Sequence, residues 1–352
     1  MSVVPDLARR RGRRPRRPGA DGPRALVVGV ALGVVATLLV VVSVATGEFS
    51  IPLRDVVDAL LGGGDRSTSY IVETLRLPRA VCALLVGAAL GTAGGIFQRV
   101  TRNPLGSPDV VGLTSGAAAG AVAQIVFVDG GDTAAIALAA LVGGAGTAVV
   151  VWLLALRGSD LVAGARLVLI GVGLSFVLIA LTEWMLTRTT LQTAAQANVW
   201  ITGSLNARGW ENAVPVAIAL AVLLPGAVLL ERRLRVLELG EQVAVGLGLG
   251  VRRAQGLLLL VAVGLASVAV STTGPVLFVA LAAPQIARRI AGTSVPTPVL
   301  SALTGAVLLL GADVLSQRVF GAERIPVGVV TGALGGTYLL WLLVSERRAG
   351  RV

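Results

Sequence analysis

The sequence predicts an all-α polytopic membrane protein with about ten transmembrane helices and both termini in the cytoplasm. Three observations carry this. The 352-residue chain is 55% hydrophobic with mean hydropathy +0.85, far above ordinary soluble usage. Its apolar residues fall in runs of about 20, the length that crosses a bilayer. Glycines recur four apart, at Gly87, Gly91 and Gly95 and again at Gly112, Gly116 and Gly120. Each set bares one helix face for close approach inside a membrane, whereas a soluble helix would lose about 1 kcal/mol per glycine.

Residues 1–24 form an arginine-rich tail with eight arginines. Such an opening suits a nucleic-acid arm or the basic end of a signal peptide. The following run, 25–45, is a full span without a convincing cleavage pattern, so a cytoplasmic tail that sets orientation is the preferred reading. The remaining spans are expected at 80–98, 108–128, 133–156, 161–186, 213–230, 254–270, 276–290, 299–315 and 326–344, and 347–352 is a second tail. With the N-terminus inside, 22 arginines fall on the cytoplasmic side and 8 outside, as the positive-inside rule requires. Two elements lie outside without crossing. Segment 51–61 places Leu53, Val56, Val57, Leu60 and Leu61 on one helical face and reads as a surface-lying amphipathic helix. Segment 198–205 is a short outer element with Trp200 at interface depth.

Composition excludes several chemistries. All 30 basic residues are arginine, histidine is absent, and Cys82 is the sole cysteine. An internal disulfide and a His/Cys metal site are excluded, as is the Gly-Lys-Ser/Thr phosphate loop. Any ATP that drives this chain is hydrolysed by another subunit. Few titratable groups lie at mid-membrane, against an ion-coupled secondary transporter, and no acid, base or metal constellation supports a membrane enzyme. Of the intramembrane polar residues Gln98, Gln124, Glu183 and Asp313, the two carboxylates sit near span ends and are expected to reach the outer interface.

The turn 99–109 carries Arg99 and Arg102, two prolines, and Ser107 placed to cap the third span with Pro108 at its first position. It reads either as a well-made connector or as a shaper of the cytoplasmic end of a pathway. The ordered motifs RLPR, LLVGAALGTAGGIFQ and RNPLGSPDVVGLTSGA, within residues 76–118, resemble the permease subunits of ATP-driven importers for ferric siderophores, haem and cobalamin. The resemblance implies a type II ABC importer permease fold of two inverted five-span halves in a single domain, 25–346, since internal sequence similarity is weak. It implies a second permease subunit, two ATPase subunits, an extracytoplasmic siderophore-binding protein, a bacterial cytoplasmic membrane location and no cofactor of the chain's own. Ferric siderophore is the first choice of cargo, with haem or cobalamin as alternatives.

The resemblance also implies sites. Within the insertion 231–253, LELGEQVAVGLGL is similar to the family's coupling segment, a pair of short helices joined near a glycine. Leu239, Gly240, Glu241, Ala244, Leu247 and Gly248 would dock on the ATPase, with Glu238 and Glu241 available to basic groups there. The cytoplasmic gate and pathway would include Asn103, Ala163, Gly164, Ala165, Gly171 and Ser175, the last two being equally suited to helix packing. Binding-protein docking would use Arg54, Arg318 and Arg324. Gln285 stands where most relatives carry histidine, which points to hydrogen bonding rather than proton exchange. Gly328, Gly332 and Gly336 suit packing within a subunit or between two permeases, and Gly335-Gly336-Thr337 replaces the family's Gly-Ala-Pro.

Overall fold

The structure is a computed structural model, and it describes residues 21–47, 50–128, 132–156, 164–293, 295–318 and 325–348. Their regular elements are all helices, with no strand among the described residues. In chain order the helices are α1 (Asp21–Ala45), α2 (Leu53–Leu60), α3 (Arg66–Ser69), α4 (Leu77–Val100), α5 (Leu113–Phe127), α6 (Thr133–Leu156) and α7 (Gly164–Leu186). They continue as α8 (Leu191–Thr202), α9 (Trp210–Glu238), α10 (Glu241–Gly246), α11 (Val251–Thr273), α12 (Val279–Ala291), α13 (Pro298–Arg318) and α14 (Val327–Arg348). A π-helical turn, Tyr70–Arg76, joins α3 to α4. Each of the ten expected spans falls on a helix. Among the described residues, seven helices are long and apolar enough to cross a membrane, and α5 and the apolar part of α14 (Val327–Trp341) are shorter apolar helices.

Helix α4 is the hub. Its apolar stretch is 78% buried, against 11% for the peripheral α1. The reason is in its small residues. A Cβ at Gly87 or Gly91 would overlap the carbonyl oxygen of Gly305 or Ser301 on α13, so the two backbones touch. Gly116 and Gly120 on α5 meet Gly143 and the Ala139 carbonyl on α6 in the same manner. Both glycine stripes read from sequence are therefore helix-crossing points. Helix α11 packs against α4, α9, α5 and α6 and ties the two groups into one core.

The bundle has two ends. The proximal end, defined by the start of α1, gathers Arg24, the 101–107 turn, the end of α9, α10 and the end of α12. Arg24 donates to the Ile290 carbonyl there. The distal end gathers the close of α1 and the start of α4, where Arg76 donates to the Val44 carbonyl at 2.9 Å. The Trp210 indole likewise donates to the Glu73 carbonyl at 3.0 Å. A backbone knot joins three elements distally: Ser204 N–H donates to Thr273 O at 2.7 Å and Gly328 N–H to Gly203 O at 3.1 Å. Gly203, Gly274 and Gly328 each lie where a Cβ would strike the carbonyl of another segment.

Four sequence expectations change. The third span is not one helix from residue 108. Ser107 makes no side-chain cap, Pro108–Val111 is a 3-10 turn, and Gly112 at φ 80° redirects the chain before α5 begins. The insertion 231–253 is not a pair of short helices, because α9 continues to Glu238 and leaves only α10 separate. Trp200 is buried against the distal knot rather than spread at the interface. Asp313 does not reach the surface. It is fully buried, with Arg79 at 2.7 Å and the Gln317 amide at 2.8 Å, because α13 faces α4 at that height.

Candidate coupling and pathway site

The proximal turn is built from its own polar groups. Helix α4 ends at Val100, and Arg102 adopts φ 52°, a left-handed conformation uncommon outside glycine. Asn103 then closes the turn: its N–H donates to Gln98 O at 3.1 Å, its side-chain oxygen accepts from Leu105 N–H at 2.9 Å, and its carbonyl accepts from Gly106 N–H at 2.9 Å. Asn103 is thus the local organiser of this turn.

A chain of amides anchors the turn to α12. Gln285, 3% exposed, donates to the Pro104 carbonyl at 2.8 Å and to the Gln98 side-chain oxygen at 3.1 Å. Gln98 donates to the Leu281 carbonyl at 2.9 Å, and Arg288 donates to the Gln285 oxygen at 3.0 Å. Both N–H donors of the Gln285 amide and its acceptor are in use. A neutral imidazole offers only one N–H, so glutamine serves this two-acceptor position better. Beside the turn, the Ser107 hydroxyl lies 3.5 Å from the Asp109 carboxylate.

The expected coupling segment is a small projecting knob. Gly240 at φ 112° and Gly248 at φ 78° bracket α10, and both values disfavour any side chain. Ala244 is buried against the body of the protein. Leu239, Val243, Val245 and Leu247 are exposed, which is the apolar face a partner surface needs. Glu241 accepts from Gln255 at 3.3 Å, which fixes the start of α10 to α11. Glu238 is engaged within the chain by Arg99 rather than left open to a partner.

Arg99 makes the strongest polar cluster at this end. Its Nη1 lies 2.6 Å from Glu231 and its Nε 2.5 Å from Glu238. Nη2 adds a second bond to Glu231 at 3.2 Å, and Arg235 donates to Glu231 at 3.0 Å. Arg102 donates to the Leu237 carbonyl at 2.9 Å. Sequence reasoning placed Arg99 and Arg102 on the same side as the N-terminal arginines, and they lie at the Arg24 end, but it missed their partners, which lie over 130 residues away. A long-range charge pair leaves no local spacing signal.

Of the expected gate residues, Ala163 lies outside the described residues, and Gly164 and Ala165 open α7. Gly171 is buried, and Ser175 donates to the Gly171 carbonyl at 2.8 Å. The bare Cα of Gly112 faces both. The two thus meet the start of α5, and Asn103 lies in a different neighbourhood at the close of α4.

Of the expected docking arginines, Arg54 is exposed on α2 and Arg318 is exposed at the last residue of α13. Arg324 lies outside the described residues. Near the distal end Arg208 is partly buried, with its Nε unpartnered. Burial holds its guanidinium below the usual range, offset by Cys82 and Glu211.

Comparison with known proteins matches this arrangement. Residues 25–345 match the model of the FecCD transport family. The chain is 45% identical over 304 residues to the ferric enterobactin transport system permease protein FepG of Escherichia coli, covering 86% of this chain and 91% of that protein. It is 37% identical over 332 residues to a probable siderophore transport system permease protein, YfhA, of Bacillus subtilis, covering 92% and 96%. A solved inward-facing structure of a putative metal-chelate type ABC transporter superimposes with TM-score 0.77 at 25% identity, over 92% of this chain and 99% of that one. With its whole helical body matched by the family model, the chain belongs to the FecCD transport family.

Proposed function

We infer that this chain is the permease subunit of an ATP-driven, binding-protein-dependent importer of a ferric siderophore in a bacterial cytoplasmic membrane. The observation that carries the reading is the near full-length similarity to a ferric enterobactin permease. In this reading ten spans cross the bilayer, the proximal end is cytoplasmic and both termini lie inside, as the arginine distribution favours. A second permease subunit completes the pathway. Two ATPase subunits bind and hydrolyse ATP and seat on the α10 knob through Leu239, Gly240, Glu241, Ala244, Leu247 and Gly248. The chain has no ATPase site of its own.

Gly164, Ala165, Gly171, Ser175 and Asn103 shape the inner part of the pathway. An extracytoplasmic binding protein meets Arg54 and Arg318 at the distal end, and it also meets Arg324. Ion-coupled transport is not favoured. Among the described residues the one fully buried carboxylate, Asp313, already has Arg79 and Gln317 as partners. Nothing on the chain favours haem or cobalamin over a ferric siderophore.

The test is ATP-dependent uptake of radioactive iron as ferric siderophore, in cells with the gene, without it, and with Gly240→Arg. Uptake lost in the deletion and in Gly240→Arg supports importer and coupling knob together. Loss in the deletion alone keeps the importer and removes the knob. Unchanged iron uptake in the deletion rejects iron-chelate import, and the same assay with haem and cobalamin then decides between those cargoes.

A further inference from the structure

The α10 knob meets the body of the protein at two places. Glu241 accepts from Gln255 on α11, and Leu239 and Gly240 join the knob to the end of α9. Motion imposed on the knob reaches the bundle through α11 and through the last turns of α9. Those turns are held to α4 by a defined set of bonds. Glu231 and Glu238 lie seven residues apart, two turns on one face of α9, and a single guanidinium is fastened to both. Its owner, Arg99, is four residues before Asn103. Arg102, in the turn itself, holds the Leu237 carbonyl.

We propose that Arg99 is the transmission residue of this permease: its two-carboxylate clasp on Glu231 and Glu238 makes the base of the coupling knob and the Asn103 turn move as one body. The chemistry fits that task. The side chain of Arg99 is only 8% exposed, and those of Glu231 and Glu238 are 12% and 26% exposed. The bonds are thus partly sheltered from solvent, unlike surface pairs that contribute little. The guanidinium donates in two directions, Nε to Glu238 and both Nη groups to Glu231. A planar fork with two anchored edges resists rotation, whereas an ammonium is a point charge on a flexible stem. Arg235 supplies the second positive charge, so two cations face two carboxylates. Beyond the turn, Gln285 ties Pro104 to α12, so displacement of the turn is passed to a second membrane helix. The inference rests on the ABC permease reading for its motive force, but not on the identity of the chelate.

The experiment uses the four-subunit importer with spin labels. Cys82 is buried and is the chain's sole cysteine, so introduced thiols label selectively. Gln242 on α10 is exposed, Leu105 is 46% exposed, and Leu191, 89% exposed on α8, serves as reference. Distances 242–191 and 105–191 are measured by pulsed EPR before and after trapping with ATP and vanadate. In the parent chain both distances are expected to shift. In Arg99→Met the 242–191 shift persists and the 105–191 shift falls at least twofold, with Arg99→Lys intermediate. Iron uptake per ATP hydrolysed falls about tenfold in Arg99→Met while the ATPase subunits still co-purify.

A 105–191 shift that is absent in the parent chain, or unaltered in Arg99→Met, overturns the proposal, as does unchanged uptake per ATP. Loss of the ATPase subunits from Arg99→Met, with normal shifts in a Glu231→Gln/Glu238→Gln double variant, also overturns it by assigning Arg99 to assembly. A failure of the ferric siderophore reading is separate, since it removes iron uptake while leaving the nucleotide-driven shifts in place.

Discussion

At the scale of single residues, buried polar groups decide what this permease tolerates. Asp313 is fully buried and satisfied by Arg79 and Gln317. Removing one partner of such a pair strands the other charge, at a cost of about 3–5 kcal/mol. Arg79→Met is therefore expected to abolish recovery of folded protein in detergent. The double variant Arg79→Met/Asp313→Leu should restore a monodisperse gel-filtration peak. Gln285 holds two acceptors at once, so Gln285→Leu leaves the Pro104 carbonyl and the Gln98 oxygen without a donor. Each such loss costs about 1–3 kcal/mol, and faster hydrogen exchange across residues 101–107 is the expected signature.

At the scale of elements, bare backbone governs how helices cross. The α4–α13 contact exists because Gly87, Gly91 and Gly305 have no side chains to separate the helices. Gly91→Leu should force α13 off α4 and sever the Arg79–Asp313 pair one end away, so loss of folded protein is expected on gel filtration. Gly332, which meets nothing within 4 Å, should accept alanine with the same elution profile. The glycine periodicities were legible in the sequence, and so were helices at all ten expected span positions. The break at Gly112 was not. Pro108 after Ser107 satisfies every local rule for a helix start, and only the packing of Gly112 against Gly171 and Ser175 shows why the chain must turn left-handed first. The two-short-helix expectation failed for a related reason. Residues 231–238 are strong helix formers that continue α9, with Glu231 and Glu238 paired to Arg99 and Glu231 also to Arg235.

At the scale of the whole molecule, the two ends differ in kind. The proximal end is an ionic and amide framework that joins α4, α9 and α12 around an exposed apolar knob. The distal end is a backbone knot of α8, α11 and α14 flanked by exposed arginines. Charge reversal of Arg54 together with Arg324 should weaken binding-protein docking at least severalfold in a pull-down with the purified binding protein, and equal capture by the variant would remove both residues from the interface. The sequence by itself determined the membrane class, the places of the helices, the glycine-lined crossings and the family, because hydropathy, small-residue spacing and ordered motifs are local properties of the chain. Tertiary structure alone decided the partners of Arg79, Arg99, Gln285 and Asp313, the burial of Trp200 and the distal knot. Each of these joins groups far apart in the chain, and which ones meet is set by helix crossings whose angles and depths no local pattern records.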